Sequence, residues 1–157
     1  MTILNILTVG NDAGTLANKA TDLSGADILS SKIQTLLEDM KDTCHDAGGH
    51  GLAACQVGSD ANMCVYRNPV NQQLCTLINP VIKTKKEPMH SKGEGCLSIP
   101  DRFFNVKRFK KVMVEGLDAH GNQITIATSS KALAKILQHE IDHLRGITIA
   151  DKGKEVQ

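Results

Sequence analysis

Apolar residues recur three or four positions apart in two stretches of the chain, which is the spacing of a buried helix face. The first stretch contains Ile33, Leu36, Leu37, Met40 and Cys44. The second contains Leu133, Ile136, Leu137, Ile141 and Leu144. Asp27 is placed to cap the first helix and Gly48 to end it. Ser129 or Ser130 is predicted to cap the second helix, and Gly146 to end it.

Alternating apolar and polar residues predict strands between these two helices. The strand candidates are 63–66, 74–78, 112–114 and 124–126. Asn68-Pro69-Val70-Asn71 is a turn signal between the first pair, and Asp118 to Asn122 predicts a hairpin turn between the second pair. Ile147 to Ala150 predicts a closing strand, because β-branched residues lead it.

No internal repeat and no linker divides these elements. Residues 1–157 are therefore expected to form a single domain of the α+β class. We expect small antiparallel sheets packed around the second helix as the central one, with the other helix near the N-terminus. Residues 1–25 are predicted to be an irregular segment, since 8–25 are rich in Gly, Asn, Thr, Asp and Ser.

Composition excludes several kinds of partner. With 18 basic and 17 acidic residues the net charge is +1, so we expect no nucleic-acid and no membrane partner. No segment reaches membrane-spanning length, and Met1 to Leu7 is too short and uncharged for a secretion signal. The five cysteines contain no C-x-x-C pair, and each is expected to be a buried thiol unless it binds a metal.

The second helix contains His139-Glu140-Ile141-Asp142-His143, an H-E-x-x-H motif. Residues four apart share a helix face, so both imidazoles can bind one metal ion, with Glu140 placed to move protons. The extended motif would need histidine at 149, which is isoleucine, so a third ligand is expected upstream. The upstream candidates are His45, His50, His90, His120, Cys44, Cys55, Cys64, Cys75 and Cys96.

Two further segments are built from glycine and other small residues, which let a backbone approach a ligand closely. They are Gly49-His50-Gly51-Leu52-Ala53-Ala54-Cys55-Gln56 and Glu94-Gly95-Cys96-Leu97-Ser98. Alone, the first also suits a helix end followed by a packed strand. Together with the helix motif, and in this order, the segments resemble peptide deformylase, whose members carry G-x-G-L-A-A-x-Q, E-G-C-L-S and H-E-x-D-H. The resemblance covers about residues 26–151.

The resemblance implies removal of the formyl group from the N-terminal formyl-methionine of new polypeptides. It implies one divalent metal ion held by Cys96, His139 and His143, with water as the fourth ligand. We expect Fe²⁺ as the native ion, and Zn²⁺, Ni²⁺ and Co²⁺ suit the same donors. Metal-bound hydroxide would attack the formyl carbon while Glu140 passes the proton to the leaving amine. The Gln56 side chain and the Leu97 backbone N–H would donate to the oxyanion.

The substrate-binding residues are implied in the same way. The peptide would lie extended against the Gly51 and Gly95 backbones as an added strand. Glu94 and Arg108 match a family acid and base, and we group them with the substrate site because their pairing would fix the loop around Cys96. A solvated surface pair is the alternative. Asp142 is expected to orient a ligating histidine or another polar group.

Three residues depart from the family pattern near the methionine pocket: His50, Ala132 and Lys135. We therefore expect a less sharp preference for formyl-methionine, with Lys135 lining the wall through its methylenes and its ammonium in solvent. The early Pro-Asp-x-x-Leu pattern is also missing.

The resemblance also implies a location and partners. We expect a cytoplasmic monomer, in a bacterium or an infected host cell, that acts on N-formyl-methionyl peptides. The short stretch after Gly146 resembles virus-encoded and truncated members without the basic C-terminal helix, so at most weak ribosome association is expected. A metallopeptidase and a non-catalytic binding protein are the alternative functions. Glu140, which a structural metal site does not need, argues against the second.

Overall fold

A computed structural model describes residues 2–157 and has the predicted α+β architecture. The helices are α1 (Val9–Leu16), α2 (Gly25–Ile28), α3 (Ser31–Asp46), α4 (Lys131–Leu144) and α5 (Ile149–Lys152). The strands are β1 (Gly51–Ala53), β2 (Met63–Arg67), β3 (Leu74–Cys96), β4 (Ile99–Leu117), β5 (Gln123–Thr128) and β6 (Lys154–Glu155). A 3₁₀ turn, Ala54–Val57, follows β1.

The six strands form one antiparallel sheet in the order β1-β2-β3-β4-β5, with β6 paired to β4. The strands expected at 63–66, 112–114 and 124–126 are confirmed. The candidate at 74–78 is only the start of β3, which has 23 residues. The prediction relied on alternating apolar and polar residues, and it did not find the rest of β3 because residues 83–88 are all exposed and so do not alternate. The β3–β4 hairpin shifts register at four points, and such irregularities bend a ribbon.

α4 is the central helix, and it packs against β1, β2 and β4. The Ser130 hydroxyl accepts a hydrogen bond from the Leu133 N–H at 3.3 Å, so the predicted cap is confirmed. Gly146 has φ +75°, and a Cβ there would collide with the Ala17 carbonyl. Glycine is therefore needed where the chain leaves the helix. The C-terminal half of α4 is almost wholly buried, including its polar side chains.

α3 buries the predicted stripe, with Ile33, Leu37, Met40 and Cys44 in the core. The predicted cap, however, is wrong. Ser30 caps α3 by accepting from the Ile33 N–H, whereas Asp27 closes a capping box with Ser24 around the short α2. Asp27 is the third residue of α2, three positions before Ser30, so it does not stand in the cap position of α3.

Residues 8–25 are not irregular throughout, which corrects the prediction for the N-terminal segment. Val9–Leu16 is an eight-residue helix with non-helical dihedrals at Asp12. The Asp12 carboxylate accepts from the Thr8 N–H at 3.0 Å, and Leu16 is buried. Local capping and burial thus outweigh the poor helix propensity of glycine and asparagine.

The closing strand predicted at 147–150 is also wrong. Thr148 and Asp151 form a capping box that starts α5 at Ile149, and the last strand of the chain, which pairs with β4, is Lys154–Glu155. A strong local cap here overrides the β propensity of the isoleucines. Within residues 2–157, no helix is long and apolar enough to cross a membrane.

Candidate metal centre and substrate cleft

Three of the predicted ligands meet at one point. Cys96 ends β3, while His139 and His143 lie one turn apart on α4. Their ligand atoms all lie within 4.8 Å of one another, and Cys96 Sγ is 3.2 Å from His143 Nε2. Within residues 2–157 no other trio of potential ligands converges in this way, so none of the remaining upstream histidines and cysteines belongs to such a group.

The donor set fits a divalent ion. Thiolate and imidazole bind such ions at about 2.3 and 2.0–2.1 Å, so donors of a tetrahedral site lie roughly 3.3–3.7 Å apart. Burial opposes a charge on His139, yet hydrogen bonds with Cys96 and Glu94 raise its pKa to about 10. These side chains therefore favour positive charge at this point, and a bound cation would supply it. Burial lowers the pKa of His143 and keeps its ring neutral, as ligation requires.

A buried ion pair lies behind the ligands. Arg108 donates to both carboxylate oxygens of Glu94, at 3.0 and 2.9 Å. The two side chains are 1% and 2% exposed, so the alternative of a solvated surface pair is wrong. Burial alone would raise the pKa of Glu94, but hydrogen bonds with His139 and Arg108 and the charge of Arg108 lower it to about 2. Glu94 Oε2 lies 3.3 Å from His139 Nδ1, which fixes that ring.

The ion pair extends to the C-terminal segment through Asp142. Asp142 Oδ2 accepts from Arg108 at 2.6 Å, and Lys152 Nζ donates to both Asp142 oxygens at 3.1 and 3.0 Å. Asp142 thus holds Arg108 rather than a histidine ring. The sequence analysis did not predict this role of Lys152. No sequence pattern distinguishes it from other lysines of the polar C-terminal segment as the partner of Asp142, ten residues earlier.

Glu140 is buried beside the ligands and against β1. An added Cβ at Gly51 would lie 2.5 Å from Glu140 Oε1, so glycine leaves the room this carboxyl occupies. Within residues 2–157, Glu140 Oε2 has no hydrogen-bond partner. Burial raises the pKa of Glu140 to about 7, although the charges of His139 and Arg108 oppose the rise. A carboxyl that titrates near neutrality can both accept and release a proton.

The amide of Gln56 has a fixed orientation. Its oxygen accepts from the Ala53 N–H at 2.9 Å. Its nitrogen donates to Ser98 Oγ at 3.0 Å and lies 3.8 Å from Cys96 Sγ. Because the oxygen is occupied by the backbone, the donor end faces the ligand cluster.

The N-terminal segment forms backbone hydrogen bonds with both glycine-rich segments of the site, 49–56 and 94–98. The Leu7 N–H donates to the Gln56 carbonyl at 2.8 Å, and the Val9 N–H donates to the Ser98 carbonyl at 3.0 Å. Leu7, just before α1, and Val9, its first residue, therefore hold these two segments in place. Sequence patterns could not show this contact, because it joins segments far apart in the chain.

A cavity of about 600 Å³ opens in front of the ligands. The predicted residues that line it are His50, Gly51, Gln56, Glu94, Gly95, Cys96, Leu97, Ala132, Lys135, His139 and Glu140. Arg108 is not among the lining residues, so its grouping with the substrate site is corrected: it acts on the cavity only through Glu94. Ile136 and Asp101 line the cavity and were not predicted. Helical spacing from His139 could have indicated Ile136, whereas no pattern marks Asp101.

Comparison with known proteins gives one consistent match. Residues 3–157 match the family model described as Polypeptide deformylase. Peptide deformylase of Syntrophomonas wolfei is 40% identical over 157 residues, covering 100% of this chain and 97% of that relative. A solved peptide deformylase from Legionella pneumophila has a TM-score of 0.87 at 34% identity, covering 96% of this chain and 86% of that one. A Met-Ala-Ser bound class I type b peptide deformylase from Acinetobacter baumannii has a TM-score of 0.86 at 28% identity, covering 96% and 98%.

Proposed function

Because this chain belongs to the peptide deformylase family and is an enzyme of that family, we propose that it hydrolyses N-formyl-methionyl peptides at the Cys96–His139–His143 centre. The family reaction removes the N-formyl group from newly made polypeptides. The observation that carries the proposal is the convergence of three metal donors with an unpartnered, buried carboxyl, Glu140, at one end of a cavity.

Each residue of the cluster then has a role. Cys96, His139 and His143 would hold one divalent ion, which when bound supplies the Lewis acidity that activates a water for attack on the formyl carbon. Glu140 takes the proton from that water and delivers it to the leaving amine. The Gln56 amide nitrogen donates to the formyl oxygen as negative charge develops there. The Leu97 backbone N–H, beside Cys96, is the second proposed donor.

The donor set suits several ions. One thiolate and two imidazoles bind Fe²⁺, Zn²⁺, Ni²⁺ or Co²⁺, and we propose Fe²⁺ as the native one. Ferrous iron beside a thiolate would make activity sensitive to oxygen, which anaerobic purification tests directly.

The peptide would lie between β1 and the end of β3. Gly51 in β1 and Gly95 near the end of β3 both line the cavity, and neither has a side chain that would block an extended backbone. Main-chain pairing of this kind accepts varied sequences beyond the first residue. The Acinetobacter protein is described with Met-Ala-Ser bound, and we propose that a tripeptide of this kind occupies the same cleft here.

We propose that the enzyme works as a monomer in the cytoplasm, where formylated chains are made. Residues 151–157 are not a free basic arm: Lys152 is bound to Asp142, and Glu155 is bound to Arg102 at 2.8 and 2.9 Å. We therefore propose that this segment contributes at most weakly to ribosome association.

The decisive experiment compares three peptides with anaerobically purified, metal-loaded protein. Formyl-Met-Ala-Ser should release one formate per molecule, while acetyl-Met-Ala-Ser and Met-Ala-Ser should remain intact. Cleavage of Met-Ala-Ser at a peptide bond would instead support the metallopeptidase alternative. Binding of metal without any hydrolysis would support a non-catalytic protein.

Changing Cys96 to alanine should weaken metal binding by more than about a hundredfold, because losing even an outer partner of a ligand typically costs 10–100-fold. Metal content per chain and competition with a chelator measure the effect. Cys75→Ala is the matched control, since Cys75 is a half-buried free thiol outside the cluster. Full metal retention by Cys96→Ala would remove Cys96 from the ligand set.

Changing Lys135 to leucine should sharpen the preference for formyl-methionine over formyl-alanine by about fivefold. An apolar pocket distinguishes two substrate side chains by roughly 1 kcal/mol or more for each methylene by which they differ. Because Lys135 forms only part of the pocket wall, we expect a modest gain in selectivity. The ratio of kcat/KM for formyl-Met, formyl-Leu and formyl-Ala peptides measures this. Lys131→Leu on the same helix is the control, because Lys131 does not line the cavity. A wild-type preference for acidic residues would mean that Lys135 binds charge rather than lining an apolar wall.

A further inference from the structure

Half of the 14 lysines of the chain lie on one two-stranded ribbon, formed by residues 83–92 of β3 and 107–111 of β4. We call it the basic ribbon. Its lysines are Lys83, Lys85, Lys86, Lys92, Lys107, Lys110 and Lys111. The register places Lys86 directly opposite Lys111, and His90 opposite Lys107. Like charges facing each other across a strand pair are destabilising, so folding stability does not explain this arrangement.

Few acids balance the basic ribbon. Within it, Glu87 is the one acidic residue, and Lys111 pairs with it; Lys83 pairs with Glu115 outside the ribbon. In the described part of the chain, Lys86, Lys107 and Lys110 belong to no ion pair. Seven lysines and Arg108 against one glutamate give the ribbon a formal charge of +7, or +6 without Arg108, which is buried and paired with Glu94; the whole chain carries only +1. The remainder of the molecule is therefore net negative.

We propose that the basic ribbon is a docking surface for the phosphate backbone of RNA. Lysines on flexible stems bind successive phosphates as point charges, without reading base sequence. None of the exposed large apolar side chains, such as Val81 and Phe103, lies within the ribbon, so it has no apolar wedge for a lipid bilayer. The expectation of no nucleic-acid partner came from net charge, which averages the ribbon with an acidic remainder.

The basic ribbon is continuous with the active-site strand. β3 runs from Lys92 directly into Gly93, Glu94, Gly95 and Cys96, all of which line the cavity. RNA bound along the ribbon would thus lie beside the cleft, and formylated N-termini emerge from a particle rich in RNA. This link to new chains rests on the proposed function, whereas RNA binding itself does not.

The test uses a labelled 16-base-pair RNA duplex and fluorescence anisotropy between 50 and 200 mM KCl. The triple variant Lys86→Gln, Lys107→Gln, Lys110→Gln removes three unpaired ribbon lysines. Each phosphate contact contributes about 0.7–0.9 to the slope of log affinity against log salt. The variant should therefore lower that slope by about 2–3 and weaken binding near 0.1 M salt by about a hundredfold. Turnover of a short formyl peptide should be unchanged, which also shows that the variant is folded.

A matched triple, Lys19→Gln, Lys32→Gln, Lys131→Gln, removes the same charge away from the ribbon and should change RNA affinity only a few-fold. Equal losses in both triples, or no RNA binding at 50 mM KCl, would overturn the proposal. Tighter binding to phosphatidylserine vesicles than to RNA at equal phosphate concentration would also overturn it. If formyl peptides are not hydrolysed while ribbon-dependent RNA binding persists, the proposed function fails and this inference stands.

Discussion

Glu140→Gln should lower kcat on formyl-Met-Ala-Ser by about 100- to 10,000-fold while the metal is retained. General acid–base catalysis by a placed side chain is typically worth that factor, and glutamine keeps the shape of glutamate without a transferable proton. The change leaves the three proposed ligands in place. Metal content per chain, measured on the same sample as the turnover, separates loss of proton transfer from loss of metal.

The packing around Glu140 makes this substitution interpretable. Its carboxyl fills the space left by Gly51, so an isosteric amide should fit without moving β1. Glu38→Gln is the matched control, because Glu38 is an exposed residue paired only with Lys41 on α3. Near-normal kcat in a metal-loaded Glu140→Gln variant would show that another group moves the proton.

The residues of the centre were identifiable from sequence because each belongs to a short local motif. His139 and His143 share a helix face by spacing alone, and the stripe and cap of α4 fix the helix that carries them. Cys96 is different: it lies 47 positions before His143, so only its motif resemblance singled it out from the other cysteines. Hydrophobic periodicity does not predict that the end of β3 lies beside α4. That placement follows from the β3–β4 hairpin, because β4 packs against α4.

The contacts that support the centre could not be predicted for the same reason. Lys152, Asp142, Arg108 and Glu94 form a line of ion pairs that joins α5, α4, β4 and β3. Each pair depends on tertiary packing, and charged residues are exposed by default. The local errors involve capping boxes. Asp27 was predicted to cap α3 but belongs to the capping box of α2, and a capping box starts α5 at Ile149, where β propensity had predicted a strand.

Net charge also leaves the distribution of charge over the surface undetermined. A balanced total of +1 is compatible with an even surface or with a strongly basic ribbon on an acidic body. Only the strand register shows that Lys86 and Lys111, 25 positions apart, face each other. Composition therefore narrows the possible classes of protein, but it does not show where on the surface charge is concentrated.

Arg108→Met should destabilise the fold by about 3–5 kcal/mol, the usual cost of breaking a buried ion pair by removing one partner. Methionine fills much of the volume but leaves Glu94 and Asp142 as buried carboxylates without the guanidinium. Urea unfolding at pH 7 measures the loss. Arg102→Met is the matched control: its pair with Glu155 is about half exposed, so solvent screens it and its loss should change stability little.

The pH dependence of that loss gives a second, independent check. The pKa of Glu94 is lowered to about 2 in the folded protein, from an ordinary value of 4.5. A depressed carboxyl pKa stabilises the fold above its unfolded value, and the stabilisation is lost as pH falls from about 4.5 towards 2. Without Arg108 the pKa of Glu94 should be lowered less, so the stability difference between wild type and Arg108→Met should narrow as the pH is lowered through that range.

The metal affinity of Arg108→Met should fall as well, by about 10- to 100-fold, because Glu94 holds the His139 ring. A loss of stability as small as that of Arg102→Met, constant with pH, would show that the buried network does not stabilise the centre.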